Sequence, residues 1–168
     1  MMKTIYKQKG IGLVEVLVAL IVLALGVLGY AALQYKAVEA NSESGSRIIA
    51  VNLARDLTER MRANPAAFAT YKTRMGSAES QKKYSTNCFS NFCSATQFAE
   101  FDVAQVVLNA ERFAMTMNIM KCQGNNNNRQ CIYVAWGDTS ATDGTNAGDC
   151  TNATSYQSDS TCLVMEAY

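Results

Sequence analysis

Several groups of residues in this chain have the type and spacing to do chemistry. The first is a lone carboxylate, Glu15, at the head of the uncharged apolar run Val16 to Tyr35, with no cation after it before Lys36. A carboxylate in lipid costs about 2.5–3.5 kcal/mol, so one kept there implies a cationic partner supplied from elsewhere. The second is a set of six cysteines, all between Cys88 and Cys162. Such a set is the composition of a disulfide framework in an oxidising compartment. The third is Ser80-Gln81-Lys82-Lys83, which has the S-x-x-K spacing of a serine nucleophile and lysine base but no companion motif. The fourth is Asp143-Gly144-Thr145-Asn146 with Asp149, oxygen ligands whose spacing does not fit an EF-hand and which reads as a polar loop. Lys72, Arg74, Lys82 and Lys83 form a basic cluster with the charge to meet phosphate. There is no histidine, which excludes His-dependent triads, imidazole bases and His-ligated metals within the chain.

The overall balance argues against a nucleic-acid partner. The 168 residues carry 15 Lys/Arg and 14 Asp/Glu, a net charge of +1, and Lys3, Lys7 and Lys9 lie in the first ten residues. A near-neutral body lacks the cations that phosphate binding needs. After Arg129 there is no Lys or Arg, while Asp138, Asp143, Asp149, Asp159 and Glu166 all follow. That asymmetry reads either as two solvated loops of opposite sign or as complementary ends of neighbouring subunits.

Three segments position these groups. Residues 1–10 are a short basic leader. Residues 11–35 are one apolar helix, and the charge-free run Val16 to Tyr35 spans about 30 Å, the thickness of a bilayer core. Lysines before it predict a cytoplasmic N-terminus and an exported C-terminal domain, residues 36–168. A signal peptide cut near Gly29-Tyr30-Ala31 and an uncut anchor are the competing readings of the run. Helical order is expected to be weakest over 36–46, where Gly45 lies. Ala50, Leu53, Ala54, Leu57 and Met61 then recur at helical spacing until Asn64-Pro65 ends the pattern. A near-continuous helix over 11–63 would measure about 80 Å.

Residues 65–94 read as an irregular connection. Ser94-Ala95-Thr96-Gln97 has the form of a capping box and opens a helix that stops near Ala110. Phe113, Met115, Met117 and Ile119 alternate as a strand does, and so do Ile132, Val134 and Trp136. Gly124 to Asn128 makes the turn between them, with Cys122 and Cys131 at its two ends. Six cysteines allow fifteen connectivities. The reading adopted is the sequential one: Cys88–Cys93, Cys122–Cys131 and Cys150–Cys162. Residues 137–161 read as polar loop, and Cys162 to Ala167 as a final strand. The fold class expected is α+β, a long N-terminal helix on a small antiparallel sheet with disulfide-pinned loops.

The junction Lys9-Gly10-Ile11-Gly12-Leu13-Val14-Glu15 before an apolar helix resembles the class III signal of type IV pilins and type II secretion pseudopilins. The sequence departs from the commoner Phe-Thr at Ile11-Gly12. The resemblance implies that a prepilin peptidase cuts after Gly10 and methylates the new N-terminus at Ile11. Glu15 then takes the place of the family's assembly acid, neutralising that amino group on a neighbouring subunit. Glu15 to Leu20, Gly26 to Gln34, Leu53 to Pro65 and Tyr133-Val134-Ala135-Trp136 are similar to minor pilins of the type IV pilus. This implies a pilin-like fold and a non-enzymatic subunit with no cofactor and no metal. Such a subunit primes pilus assembly at or near the tip and supports twitching motility and adhesion. Its implied partners are the peptidase, other minor pilins, the major pilin, the inner-membrane assembly platform and a tip adhesin. Its implied location is a single pass of the inner membrane with a periplasmic domain, then the pilus. A type II secretion pseudopilin is the alternative, and a DNA-uptake or adhesion pilin a more distant one.

Overall fold

A single helix, α1, runs from Leu13 to Ala63. The computed structural model describes residue 10, residues 12–124 and residues 127–167; residues 1–9, Ile11, Asn125, Asn126 and Tyr168 lie outside the described residues. The chain divides into two compact units, Met1–Glu43 and Ser44–Tyr168. The helix does not weaken over 36–46, contrary to the sequence expectation: it continues through Gly45. A helical glycine costs about 1 kcal/mol against alanine, whereas breaking the helix would add a second costly nucleation. The Lys36–Glu39 pair, at 2.7 Å and one turn apart, adds a few tenths.

In the second unit α1 lays one stripe on the core. Ala50, Leu53, Ala54, Leu57, Thr58 and Met61 are its buried residues. The Thr58 hydroxyl donates to the Ala54 carbonyl at 2.8 Å, which removes the cost of burying it. Pro65 stops the helix, as expected, but does not lead into irregular chain. It occupies the start of a 3-10 turn, Pro65–Ala67, that runs straight into α2, Phe68–Met75. Proline's fixed φ suits a first helical position. Tyr71 and Met75 are fully buried, which fastens this short helix to the core. Next comes α3, Ala95–Glu111. Its capping box is complete: Gln97 N–H donates to Ser94 Oγ, and Ser94 N–H donates to Gln97 Oε1 at 2.9 Å. It ends with Ala114 in the left-handed region at φ 53°, while Met115 N–H donates to the Ala110 carbonyl at 3.0 Å. That closure delays the next strand, so Phe113 lies in a turn rather than in the strand its alternation suggested.

Five strands follow: β1 Thr116–Lys121, β2 Gln130–Ala135, β3 Ser140–Asp143, β4 Asp149–Thr151 and β5 Cys162–Glu166. An antiparallel sheet has the order β1-β2-β5, with Ile119 opposite Ile132 and Tyr133 opposite Val164. Every residue of β2 is buried. One face, with Ile132 and Val134, packs into the core that includes Leu57, Met61, Val103 and Met117. The other, with Tyr133 and Ala135, is covered by Ala141, Cys150 and Cys162. Ala141 and Cys150 come from the stretch read as polar loop, 137–161, which instead forms β3 and β4 as a short parallel pair. Disulfides join Cys88 to Cys93, Cys122 to Cys131, and Cys150 to Cys162.

Candidate processing and assembly site

The first turn of α1 carries Glu15, and Gly10, where the sequence places the cut, lies just before the helix. Gly10 is exposed, and neither it nor Gly12 has a neighbour within 4 Å of where a Cβ would stand. The Gly12 carbonyl accepts from Glu15 N–H at 2.9 Å and from Val16 N–H at 3.4 Å, which starts the helix. Glu15 therefore sits in the first turn, where free N–H groups and the helix dipole favour a negative charge. Ile11 lies outside the described residues. From Leu13 to Val38 every large apolar side chain is exposed, and the most apolar window of the helix is 0% buried. A helix apolar on all sides needs lipid or other helices around it.

The charged side chains of the second unit mostly serve the fold. Arg60 Nη1 donates to Asp102 Oδ1 at 2.7 Å, and Arg60 Nε to Asp56 Oδ1 at 2.9 Å. The Tyr71 hydroxyl donates to the other Asp102 oxygen at 2.5 Å. One carboxylate on α3 thus ties the end of α1 to α2. Burial, then the hydrogen bond and charge of Asp102, push the Tyr71 phenol well above its ordinary value. Glu100 accepts from Arg74 and from the Ser85 hydroxyl and amide. Burial raises its pKa, but those bonds outweigh it and hold the carboxyl below the usual range.

The other sequence candidates are accounted for in the same way. Ser80 Oγ donates to the Arg74 and Ser77 carbonyls at 3.2 Å each, so the backbone holds its hydroxyl proton, and Lys83, the lysine of the S-x-x-K spacing, is exposed. With Arg74 and Lys82 both in ion pairs, the basic cluster keeps only Lys72 and Lys83 as exposed cations outside these pairs. Asp149 accepts from Thr142 Oγ1 at 2.5 Å and from Asn146 N–H at 2.8 Å, and these bonds hold its pKa down. Asp143 accepts from Thr151 Oγ1 at 2.6 Å and from Ala153 N–H at 2.8 Å. These carboxylates staple a loop. Among the described residues no three acidic or cysteine side chains group to hold a metal. Sequence spacing did not flag two exposed phenylalanines, Phe89 and Phe92, inside the Cys88–Cys93 loop.

The described residues define a class, a helix long and apolar enough to cross a membrane together with an α+β unit, and comparison with known proteins adds to it. A prokaryotic N-terminal methylation motif matches residues 5–31, and a type IV pilin model, the Tt1218-like family, matches residues 32–104. The matches support the type IV pilin family, whose members are structural and non-enzymatic, and the α+β fold is type IV pilin-like. No curated protein and no solved structure matches the chain.

Proposed function

We propose that this chain is a minor pilin of the type IV pilus, of the PilV kind. It is cut after Gly10, methylated at Ile11, and held in the inner membrane by the apolar half of α1 until it is drawn into the filament. Glu15 pairs with the Ile11 amino group of a neighbouring subunit. In low dielectric that pair sets the axial register, because an unpaired carboxylate there would be costly. The subunit primes assembly at or near the tip, with other minor pilins, the major pilin, the assembly platform and a tip adhesin as partners, and so supports twitching motility and adhesion.

The observation that carries this reading is the methylation motif at 5–31, continuous with a pilin match at 32–104, with Glu15 in the first helical turn. A type II secretion pseudopilin shares that start. The resemblance of Ala54 to Pro65 to minor pilins, together with the cysteines, favours the pilus. Deleting the gene separates the two. Loss of surface pili and twitching with secretion intact is the expected result, and loss of secretion with normal pili would overturn it.

A further inference from the structure

We infer that the Cys88–Cys93 loop is a rigid aromatic plug that seats in an uncharged apolar pocket of a neighbouring protein subunit. The inference extends the assembly reading above by naming a contact surface on the globular unit. The loop is built inside out. Its polar groups are spent within it: Asn87 Oδ1 accepts from Phe89 N–H at 3.0 Å, and the Asn87 carbonyl accepts from Ser90 N–H at 3.3 Å and from Asn91 Nδ2 at 3.1 Å. The disulfide closes the same turn. Its apolar groups face water: Phe89 is 82% exposed and Phe92 fully so, with Phe98 and Tyr84 beside them more than one third exposed.

Phe89 is held edge-on against the buried Phe101 at 4.9 Å between centroids, so the ring is braced yet presents its outer side. Fixing the Phe89 ring before binding removes part of the entropy cost of a contact. Phe89, Phe92 and Phe98 also line a hollow of about 370 Å³, open to solvent, which accepts a side chain in return. Paired insertion of this kind is how interface hot spots meet.

The charge pattern selects the partner. From Tyr84 to Ala99 no residue carries a charge. An apolar patch without charge matches the centre of a protein interface, where charged residues are depleted and aromatics enriched. Lys82 and Lys83 precede the run and Lys82 is held by Glu111, so within the run itself nothing supplies the Lys or Arg that loops settling on lipid carry beside their apolar residues, nor the cations that nucleic acid requires.

The test uses the full chain in its own cells, with a benzophenone amino acid at position 92 and, as control, at exposed position 154. The expected result is a light-dependent adduct from position 92 to a pilin-class subunit, identified by mass, and none from position 154. Phe92→Asp should weaken that association on the order of 30-fold, as for an interface hot spot. Its unfolding midpoint should not change, since the ring touches little of its own fold. Lipid adducts alone, equal labelling from position 154, or wild-type association of Phe92→Asp would overturn the inference. N-terminal processing is read on the same sample. A processed, filament-borne chain with a silent position 92 contradicts the plug and leaves the pilin reading standing. An unprocessed chain contradicts the pilin reading, while the adduct at position 92 still decides the plug.

Discussion

The two ends of α1 solve opposite problems with the same kind of residue. Between Leu13 and Val38 the leucines and valines circle the helix and are all exposed. Between Ala50 and Met61 the apolar residues other than the half-buried Val51 fall on one stripe and are all but completely buried, with Leu57 and Met61 at 0% exposure. The first end is finished only by lipid or other helices; the second is finished by its own chain. Periodicity makes the difference, because an all-round apolar helix has no side on which to stop. Glu15 sits at the unfinished end and the six cysteines in the finished one. On the proposed reading, assembly chemistry is thereby separated from folding chemistry.

The same substitution at the two ends is the sharpest way to break that comparison. Leu57→Ala should destabilise the Ser44–Tyr168 unit by about 3–5 kcal/mol, since it opens a cavity in a packed core. Leu20→Ala should leave that unit's unfolding within about 0.5 kcal/mol of wild type. Chemical unfolding of the full chain in detergent, followed by near-ultraviolet circular dichroism, reads both. Equal effects would mean that the two ends are not independent.

Removing the Cys150–Cys162 bridge by a double Ser substitution should cost about 2–3 kcal/mol, and removing Cys88–Cys93, which closes a shorter loop, nearer to 2. The first tethers the cover over β2. The second should damage association more than stability.

A pH response is expected of the Ser44–Tyr168 unit. The Tyr71 phenol titrates higher in the fold than its ordinary value of 10.0, so its contribution is present below pH 10 and fades as pH rises above it. Glu100 and Asp149 titrate lower in the fold than their ordinary 4.5 and 3.8. Their contributions are present above those values and fade as pH falls below them. Tyr71→Phe should cost about 1 kcal/mol at neutral pH and flatten the alkaline limb. Glu100→Gln should flatten the acid limb. A stability profile from pH 2 to 11 on both variants decides it. One small effect expected is a gain: Ala114→Gly relieves the left-handed φ of 53° and should stabilise by about 0.5–1 kcal/mol, seen as a higher midpoint.

What the sequence made legible was whatever is encoded locally. Asn64-Pro65 marks the end of α1 because proline restricts its neighbour. Ser94 and Gln97 mark the start of α3 because a capping box is a four-residue signal. The N-terminal methylation motif that matches residues 5–31 is likewise local. Features set by distant packing were not legible. The eight residues of α2 give too little periodicity, and only the burial of Tyr71 and Met75 declares them. Strands β3 and β4 are held by Asp143–Thr151 and Asp149–Thr142 bonds, which look in sequence like an ordinary polar loop. The alternation in β2 suggests one wet face, but β3 and β4 cover it. Gly45 misled in the other direction, because one weak residue does not break a long helix whose flanks are strong.

The most direct test of the central proposal is the mass of the membrane-extracted chain, made with and without a prepilin peptidase. The expected product with the enzyme lacks Met1 to Gly10 and carries one methyl group on Ile11, and Gly10→Ala abolishes its formation. An intact chain in both samples, or one cut near Ala31, would contradict the pilin reading and leave Glu15 without a partner.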